Sequence, residues 1–330
     1  MTNQPPRRPT VYVVIVGYNE KHLIEACFQS FRQVDYTPLR IVYVDNASTD
    51  GSLPWAKAEF PEVISMSSGG NLGYCGGNNA GIRKALEDGA DFVLILNPDT
   101  VVCNPAFIGT LVDYMLARPS VGKVGPMVWL RNKGDVQNTI LDWPSLFGSA
   151  SSYVATALGR TPPRKSEAAK EPVRVPSLNG CCLLVRKEAI LDVGLYDEGF
   201  WCYMDEVDWD WQAERKGWER HYVPVESILH LQKISGYDFT SRANHLMKRN
   251  TAIWYAKTGR SVSMFAWMAI TMAIALARTI TAPFCGRSMK QYASFVGKLA
   301  TSYRGVCSDW AAGRYREHPR ANLPGAETTS

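Results

Sequence analysis

The sequence predicts an α/β fold: a Rossmann-like, mostly parallel central sheet flanked by helices, with a helical, partly apolar extension at the C-terminal end. Three observations predict it. Apolar, β-branched runs at 11–16, 40–44 and 92–96 have the continuous hydrophobicity of strands buried on both faces. Stretches with helical spacing separate them, as βαβ units require. Each run ends in a polar cluster, and open parallel sheets bind ligands beyond the carboxyl ends of their strands.

The elements follow in order. The run VYVVIV at 11–16 ends at Gly17-Tyr18-Asn19-Glu20 and is followed by helical spacing over 22–32. The strand at 40–44 closes with Asp45-Asn46-Ala47-Ser48-Thr49-Asp50-Gly51-Ser52, a cluster of capping residues and Gly that marks a loop entering a helix. A third strand is expected at 62–66. A Gly- and Asn-rich loop at 69–81 then opens a helix over 82–87, and a fourth strand at 92–96 ends at Asn97-Pro98-Asp99-Thr100. Over 130–175 the pattern breaks into a Ser-, Pro- and Lys-containing stretch, read as a mobile loop or insertion shaping one side of the site. Regular structure returns at 179–185, and beyond about Trp254 the chain is helical and apolar with basic flanks. The expected organisation is a flexible N-terminus at 1–9, an α/β domain at 10–255, a helical region at 256–318 and a disordered tail at 319–330.

Composition excludes several classes. Lys and Arg number 36 against 31 Asp and Glu, a net charge of +5 that is too mild for a nucleic-acid binder but suits contact with anionic lipid or pyrophosphate. The eight Cys form no CxxC or zinc-ligand spacing, so reduced thiols in a cytosolic protein are expected. No apolar signal-peptide core follows the polar N-terminus. Residues 263–277 carry no charge but fall short of the roughly 20 apolar residues of a membrane span. In-plane contact with the inner leaflet is therefore favoured over a buried helix or a true span.

Five clusters carry candidate chemistry. Asp45, closing a strand, suits a base N–H or ribose hydroxyl, or else caps a helix. The Gly-rich loop offers backbone N–H groups and a helix dipole to a phosphate, although it matches neither the Walker loop nor the dinucleotide fingerprint. Asp99 suits a hard divalent cation, or a Pro-containing turn. Asp205, Glu206, Asp208 and Asp210 crowd four carboxylates within six residues, which calls for a metal, a cationic partner or protonation. On a helix Asp205 pairs with Asp208 and Glu206 with Asp210, leaving one carboxylate to face a cleft as general base; the alternative is an acidic helix N-terminus. His230 closes an apolar strand and on its own reads as a structural residue.

Taken in this order, the clusters resemble the family 2 glycosyltransferases of the GT-A fold, and especially their rhamnosyltransferase-like branch. The resemblance runs from about Val11 to Lys257. Its markers are VGYNE at 16–20, VDNASTDGS at 44–52, NLGYCGGNNAG at 71–81, LNPDT at 96–100, NGCCLLVR at 179–186, DEVDW at 205–209, and His230 with Ser235. The resemblance implies that Tyr18, Glu20, Asp45 and Asn71 hold the nucleoside, and that Gly76, Gly77 and Asn78 approach the ribose or diphosphate. It implies Asp99 and His230 as ligands of Mg2+ or Mn2+, with Asn97 beside them, and Asn179 and Gly180 around the sugar. Asn97 departs from the family's usual Asp-x-Asp. Asp205-Glu206 stands where Glu-Asp is usual, which points to Glu206, ahead of Asp205, as the base of an inverting transfer.

Also implied are a nucleoside-diphosphate sugar donor, with dTDP-rhamnose ahead of UDP-hexoses, and a glycan, glycolipid or polyprenyl-linked acceptor in envelope polysaccharide assembly. The expected location is cytoplasmic, peripheral at the inner membrane, with no nucleic-acid partner and with self-association open. The rival expectations are a soluble natural-product acceptor and a non-catalytic nucleotide-sugar-binding module. A nucleotidyltransferase does not fit, since Gly-Tyr-Asn-Glu replaces its Arg- and Lys-bearing loop after the first strand.

Overall fold

The computed structural model describes residues 7–130, 134–148, 165–231 and 238–315. The expected tail at 319–330, the start of the N-terminus at 1–6, residues 131–133 and 149–164 of the expected loop, and Ser235 lie outside the described residues.

The first half is built from β1 (Val11–Gly17), α1 (Lys21–Phe31), β2 (Leu39–Asp45), α2 (Ser52–Glu59), β3 (Ile64–Ser67), α3 (Gly73–Glu87) and β4 (Phe92–Leu96). All four strands are parallel, with β1 between β2 and β4. Alternation along β1 explains why it is central. Val11, Val13 and Ile15 enter a core with Ile24 and Phe28 of α1, while Tyr12 and Val14 enter the opposite core with Ile82 and Leu86 of α3.

The second half contains β5 (Thr100–Val102), α4 (Phe107–Leu116), β6 (Val121–Leu130), β7 (Asp135–Val136), β8 (Ile140–Leu141) and the single turn α5 (Lys165–Ala168). It continues with β9 (Val173–Arg174), β10 (Ser177–Leu178), β11 (Cys182–Arg186), α6 (Lys187–Val193), α7 (Asp205–Arg215) and β12 (Glu219–His230). The main sheet runs β3-β2-β1-β4-β11-β6-β12-β5. Because β11 is antiparallel to both β4 and β6, the sheet is mixed beyond β4. The last of the described elements are three packed helices, α8 (Arg242–Lys257), α9 (Ser261–Thr281) and α10 (Met289–Ala311). α8 runs through the expected boundary at 255.

Three expectations are corrected. The third strand begins at Ile64 instead of 62, because Val63 still closes a turn to the Phe60 carbonyl. The Gly-rich segment is not a loop as far as 81: α3 starts at Gly73, and Gly76, Gly77 and Asn78 are buried inside it. These glycines serve close packing. A Cβ on Gly77 would sit 2.6 Å from Val16 Cγ1, and one on Gly81 would collide with Val14, so α3 lies on β1 at a distance side chains would not allow. The described parts of 130–175 are also tied in. β8 pairs with β10, and Ser166 Oγ accepts from the backbone N–H of Thr139 and Ile140.

Candidate active site

Strand order reverses at β1, whose two neighbours are β2 and β4, and the segments leaving β1 and β4 diverge to leave a crevice. A cavity of about 390 Å³ lies there. Glu20 enters it from the turn after β1, and Asn97 and Asp99 from the turn after β4. Asn179, Gly180 and His230 form the wall contributed by the second half, and Asp205 and Glu206 stand at the start of α7. Eight of the sequence-predicted site residues therefore meet in one cavity.

Tyr18, Asp45, Asn71, Gly76, Gly77 and Asn78 do not line it. Tyr18 is exposed at the end of β1. Asp45 is buried at the end of β2, accepting from the Ser48 amide at 3.1 Å. Asn71 Oδ1 accepts from the Gly73 amide at 3.1 Å. These three lie on the β2 side of the crevice. The start of α3 does not offer the open cradle that the glycines suggest. The amides of Leu72, Gly73 and Cys75 are bonded to Asn46 Oδ1, Asn71 Oδ1 and the Trp201 carbonyl, and from Gly77 on they belong to the helix ladder.

The acidic cluster divides in two. Asp208 and Asp210 point into the protein and each meets a buried lysine. Lys257 Nζ of α8 lies 2.6 Å from Asp208 and 2.7 Å from Asp197. Lys123 of β6, fully buried, pairs with Asp210, which also accepts from Ser177 Oγ and the Leu178 amide. Asp205 and Glu206 face the cavity and each other. Burial first, then the Glu206 carboxylate, pushes Asp205 well above the usual carboxylate range. Burial also raises Glu206, but its helix-end amide, Lys123 and a hydrogen bond from Asp205 pull it back. Of the two, Asp205 is pushed up further, so the pair favours a proton on Asp205 over one on Glu206.

The backbone leading into this pair is strained. Trp201, Tyr203 and Met204 adopt φ of 64°, 69° and 68°, a region non-glycine residues rarely occupy. Asn250 of α8, completely buried, holds the segment from behind. Its Nδ2 lies 2.9 Å from the carbonyl oxygens of Phe200, Cys202 and Tyr203.

On the opposite wall, His230 Nε2 is 3.0 Å from Asp99 Oδ2, and His230 Nδ1 is 2.7 Å from Gln137 Oε1. Gln137 in turn donates to Asn179 Oδ1 at 3.2 Å. Gln137 Oε1 can only accept, so Nδ1 carries a proton and donates to it; Nε2, which donates to Asp99 here, is the nitrogen a cation would take in exchange for that proton. Burial lowers the His230 pKa, but the Cys181 sulfur and Asp99 outweigh it and bring it to about 10. Burial and Asp99 push Glu20 up to about 7. Among the described residues no three His, Cys, Asp or Glu side chains converge as a metal-binding group. Asp99 and His230 nonetheless fit a divalent ion. They stand together on one wall of the cavity and would offer one oxygen and one nitrogen donor.

Sequence reading missed Lys123, Gln137 and Asn250. Lys123 had a signal, a lone cation inside an apolar strand. Gln137 lay in a stretch read as a loop, and nothing local marks Asn250.

Comparison with known proteins places the chain in a family. The sequence profile described as Glycosyl transferase family 2 matches residues 12–194. The chain is 31% identical over 233 residues to the N-acetylglucosaminyl-diphospho-decaprenol L-rhamnosyltransferase of Mycobacterium tuberculosis, covering 66% of this chain and 75% of the relative. It is 25% identical over 230 residues to the low-salt glycan biosynthesis hexosyltransferase Agl10 of Haloferax volcanii, covering 69% of each. Among solved structures it is similar to GalNAc-T7 with UDP, GalNAc and Mn2+, at a TM-score of 0.55 and 17% identity over 77% of this chain and 51% of that one. It is also similar to the mannosyltransferase PcManGT of Pyrobaculum calidifontis in complex with GDP-Man and Mn2+, at a TM-score of 0.50 and 18% identity over 94% and 89%. The structural likenesses show the fold, and the chain spans about half the length of the GalNAc-T7 chain. With a matching profile over more than half its length and a rhamnosyltransferase among its relatives, the chain belongs to glycosyl transferase family 2 and is a rhamnosyltransferase-like glycosyltransferase of the GT-A fold.

Proposed function

We propose that the protein is an inverting transferase that moves rhamnose from dTDP-rhamnose to a hydroxyl of a polyprenyl-diphosphate-linked N-acetylglucosamine. The observation that carries the chemistry is the carboxyl pair Asp205–Glu206 facing Asp99–His230 across one cavity. The rhamnosyl group and the acceptor are taken from the mycobacterial relative's name, and dTDP from the resemblance to the rhamnosyltransferase-like branch.

Tyr18, Glu20, Asp45 and Asn71 are assigned to the nucleoside, and Asn97, Asn179 and Gly180 to the sugar diphosphate. Gly76, Gly77 and Asn78 drop out, because they are built into α3. Ionised Glu206 accepts the acceptor's hydroxyl proton as that oxygen bonds to the anomeric carbon from the face opposite the leaving group. The bond from anomeric carbon to phosphate oxygen breaks, and its electron pair leaves with the nucleoside diphosphate. Asp99 and His230 would hold a divalent cation, which when bound neutralises charge on the diphosphate. Gln137 keeps His230 in the tautomer this needs. A polyprenyl-linked acceptor places the reaction at the cytoplasmic face of a membrane.

The test is a thermal-shift panel of dTDP, UDP, GDP and CMP with and without Mn2+, followed by transfer from dTDP-rhamnose to a synthetic lipid-diphosphate N-acetylglucosamine. Metal-dependent stabilisation by dTDP and a product with inverted anomeric configuration are expected. Stabilisation by another nucleotide alone refutes the donor, and a retained configuration refutes the mechanism.

A further inference from the structure

α9 is apolar on two opposite sides. Met264, Trp267, Met268, Thr271 and Ala275 pack against the rest of the C-terminal bundle. On the other side Val262, Phe265, Ala269, Ala273, Leu276 and Ile280 are exposed in the described structure, at the spacing of one continuous helical stripe. The stripe runs on into Phe284, 88% exposed in the 3₁₀ turn Pro283–Cys285, with Arg287 and Lys290 exposed just beyond. At the other end Trp310 of α10 stands edge-on to Phe265 at 5.4 Å.

Charge is segregated in the same region. Between Asp238 and Asp309 the sequence has ten Lys or Arg and no Asp or Glu, so the remainder, with 26 cations to 31 anions, is net acidic. Two of the ten belong to the protein interior, Lys248 as a buried residue and Lys257 through its buried side chain. The others include Arg278, Arg287, Lys290, Lys298 and Arg304, all exposed.

We propose that α9 docks in the plane of an anionic bilayer surface, with Leu276, Ile280 and Phe284 inserted below the headgroups and the basic residues around them. By length and composition α9 would suffice to cross a membrane, but only 28% of its apolar window is buried and that share holds the bundle together. Trp267 Nε1 donates to the Lys248 carbonyl at 3.0 Å, and Thr271 Oγ1 and Tyr303 Oη are 2.6 Å apart. A crossing would break both contacts, whereas lying flat keeps them and covers the bare stripe. An acidic protein surface is a poorer occupant than lipid, since the stripe carries no hydrogen-bonding side chains for it to meet. α8, to which α9 is bonded, also carries Asn250 and Lys257. The docked face is therefore tied to the segment preceding the Asp205–Glu206 pair.

The test is flotation of the full chain with vesicles of phosphatidylcholine, alone or mixed with phosphatidylglycerol. The wild-type protein should float with the mixed vesicles and lose this in high salt. Leu276→Glu/Ile280→Glu should weaken partitioning by about 100-fold or more, from the loss of two apolar insertions. Arg287→Gln/Lys290→Gln should weaken it about fivefold per cation, on the mixed vesicles only. Melting curves and sedimentation velocity on each variant check folding and assembly. Failure of the folded wild-type chain to float, or flotation unaffected by the substitutions, overturns the proposal. So does a discrete oligomer that the double glutamate variant converts to monomer, since the stripe would then be covered by a second copy. None of these readouts involves sugar transfer, so they stand apart from the proposed reaction.

Discussion

Replacing Asn250 with Ala should slow catalysis without touching the cavity. Three non-glycine residues at positive φ cost about 1 kcal/mol or more each, so Trp201, Tyr203 and Met204 together store about 3 kcal/mol. Asn250 opposes this with two N–H groups shared among three carbonyl oxygens, each 2.9 Å away. Those bonds contribute about 0.5–1.5 kcal/mol apiece, and leaving buried carbonyls unpaired would cost about 1–3 kcal/mol more. The two sides are close in size, so removing the clamp lets the segment relax instead of leaving it intact but weakened. Asp205 and Glu206 follow Met204 directly, and a displacement of about 1 Å at the reacting group costs on the order of 100-fold. Asn250→Ala is therefore expected to lower kcat about 100-fold while donor KM stays within about threefold, measured by steady-state transfer. Asn250→Asp should be worse, because its carboxylate meets carbonyl oxygens with no N–H to offer. Adding Met204→Gly, which relieves one strained position, should recover part of the loss. An Asn250→Ala enzyme with normal kcat and merely a lower melting temperature would refute the reasoning and leave Asn250 a packing residue.

Other outcomes follow from the same geometry. Glu206→Gln should lower kcat by about 10²–10⁴-fold with donor binding intact, whereas Asp205→Asn, which still donates to Glu206, should keep most of the rate. Since Glu206 is raised and acts ionised, kcat/KM should fall on the acid side, with a midpoint above the ordinary carboxylate range, and the limb should vanish from the residual activity of Glu206→Gln. Lys123→Met strands the buried Asp210 charge and should cost about 3–5 kcal/mol in denaturant unfolding, much of it recovered by adding Asp210→Asn. With two proposed cation ligands among the described residues, Mn2+ alone should scarcely stabilise the fold, while Mn2+ with the nucleotide should; His230→Ala should remove that synergy in a thermal-shift titration.

Much of this was legible in the sequence, for reasons that particular residues make plain. The strands β1 and β4 announced themselves because both faces are buried, so every position had to be apolar. Asp99 could be named because polar groups concentrate where strands end, the Asp205–Glu206 pair because four carboxylates crowd within six residues, and His230 through the family resemblance alone. Gly76 and Gly77 misled because a glycine needed for close helix packing and one needed to approach a ligand look alike in one dimension. The division of labour within the acidic cluster was hidden for a different reason. Its partners, Lys123 and Lys257, lie far away along the chain, and Lys257 read as a basic flank before its burial was known. Gln137 and Asn250 act through backbone carbonyls or another side chain, and such contacts leave no local pattern.

The two buried lysine–aspartate pairs also bear on how this enzyme can change. They grip α7 at Asp208 and Asp210 from opposite directions, one from the C-terminal bundle and one from the sheet. Sliding or rotating α7 would unpair a buried charge, so its register is effectively a choice between native and broken with nothing graded between. Variation that retunes donor or acceptor preference therefore has little room on this helix. Directed evolution of the protein should gain more from libraries at exposed positions of the turn after β1, such as Tyr18, than from any saturation of 205–210.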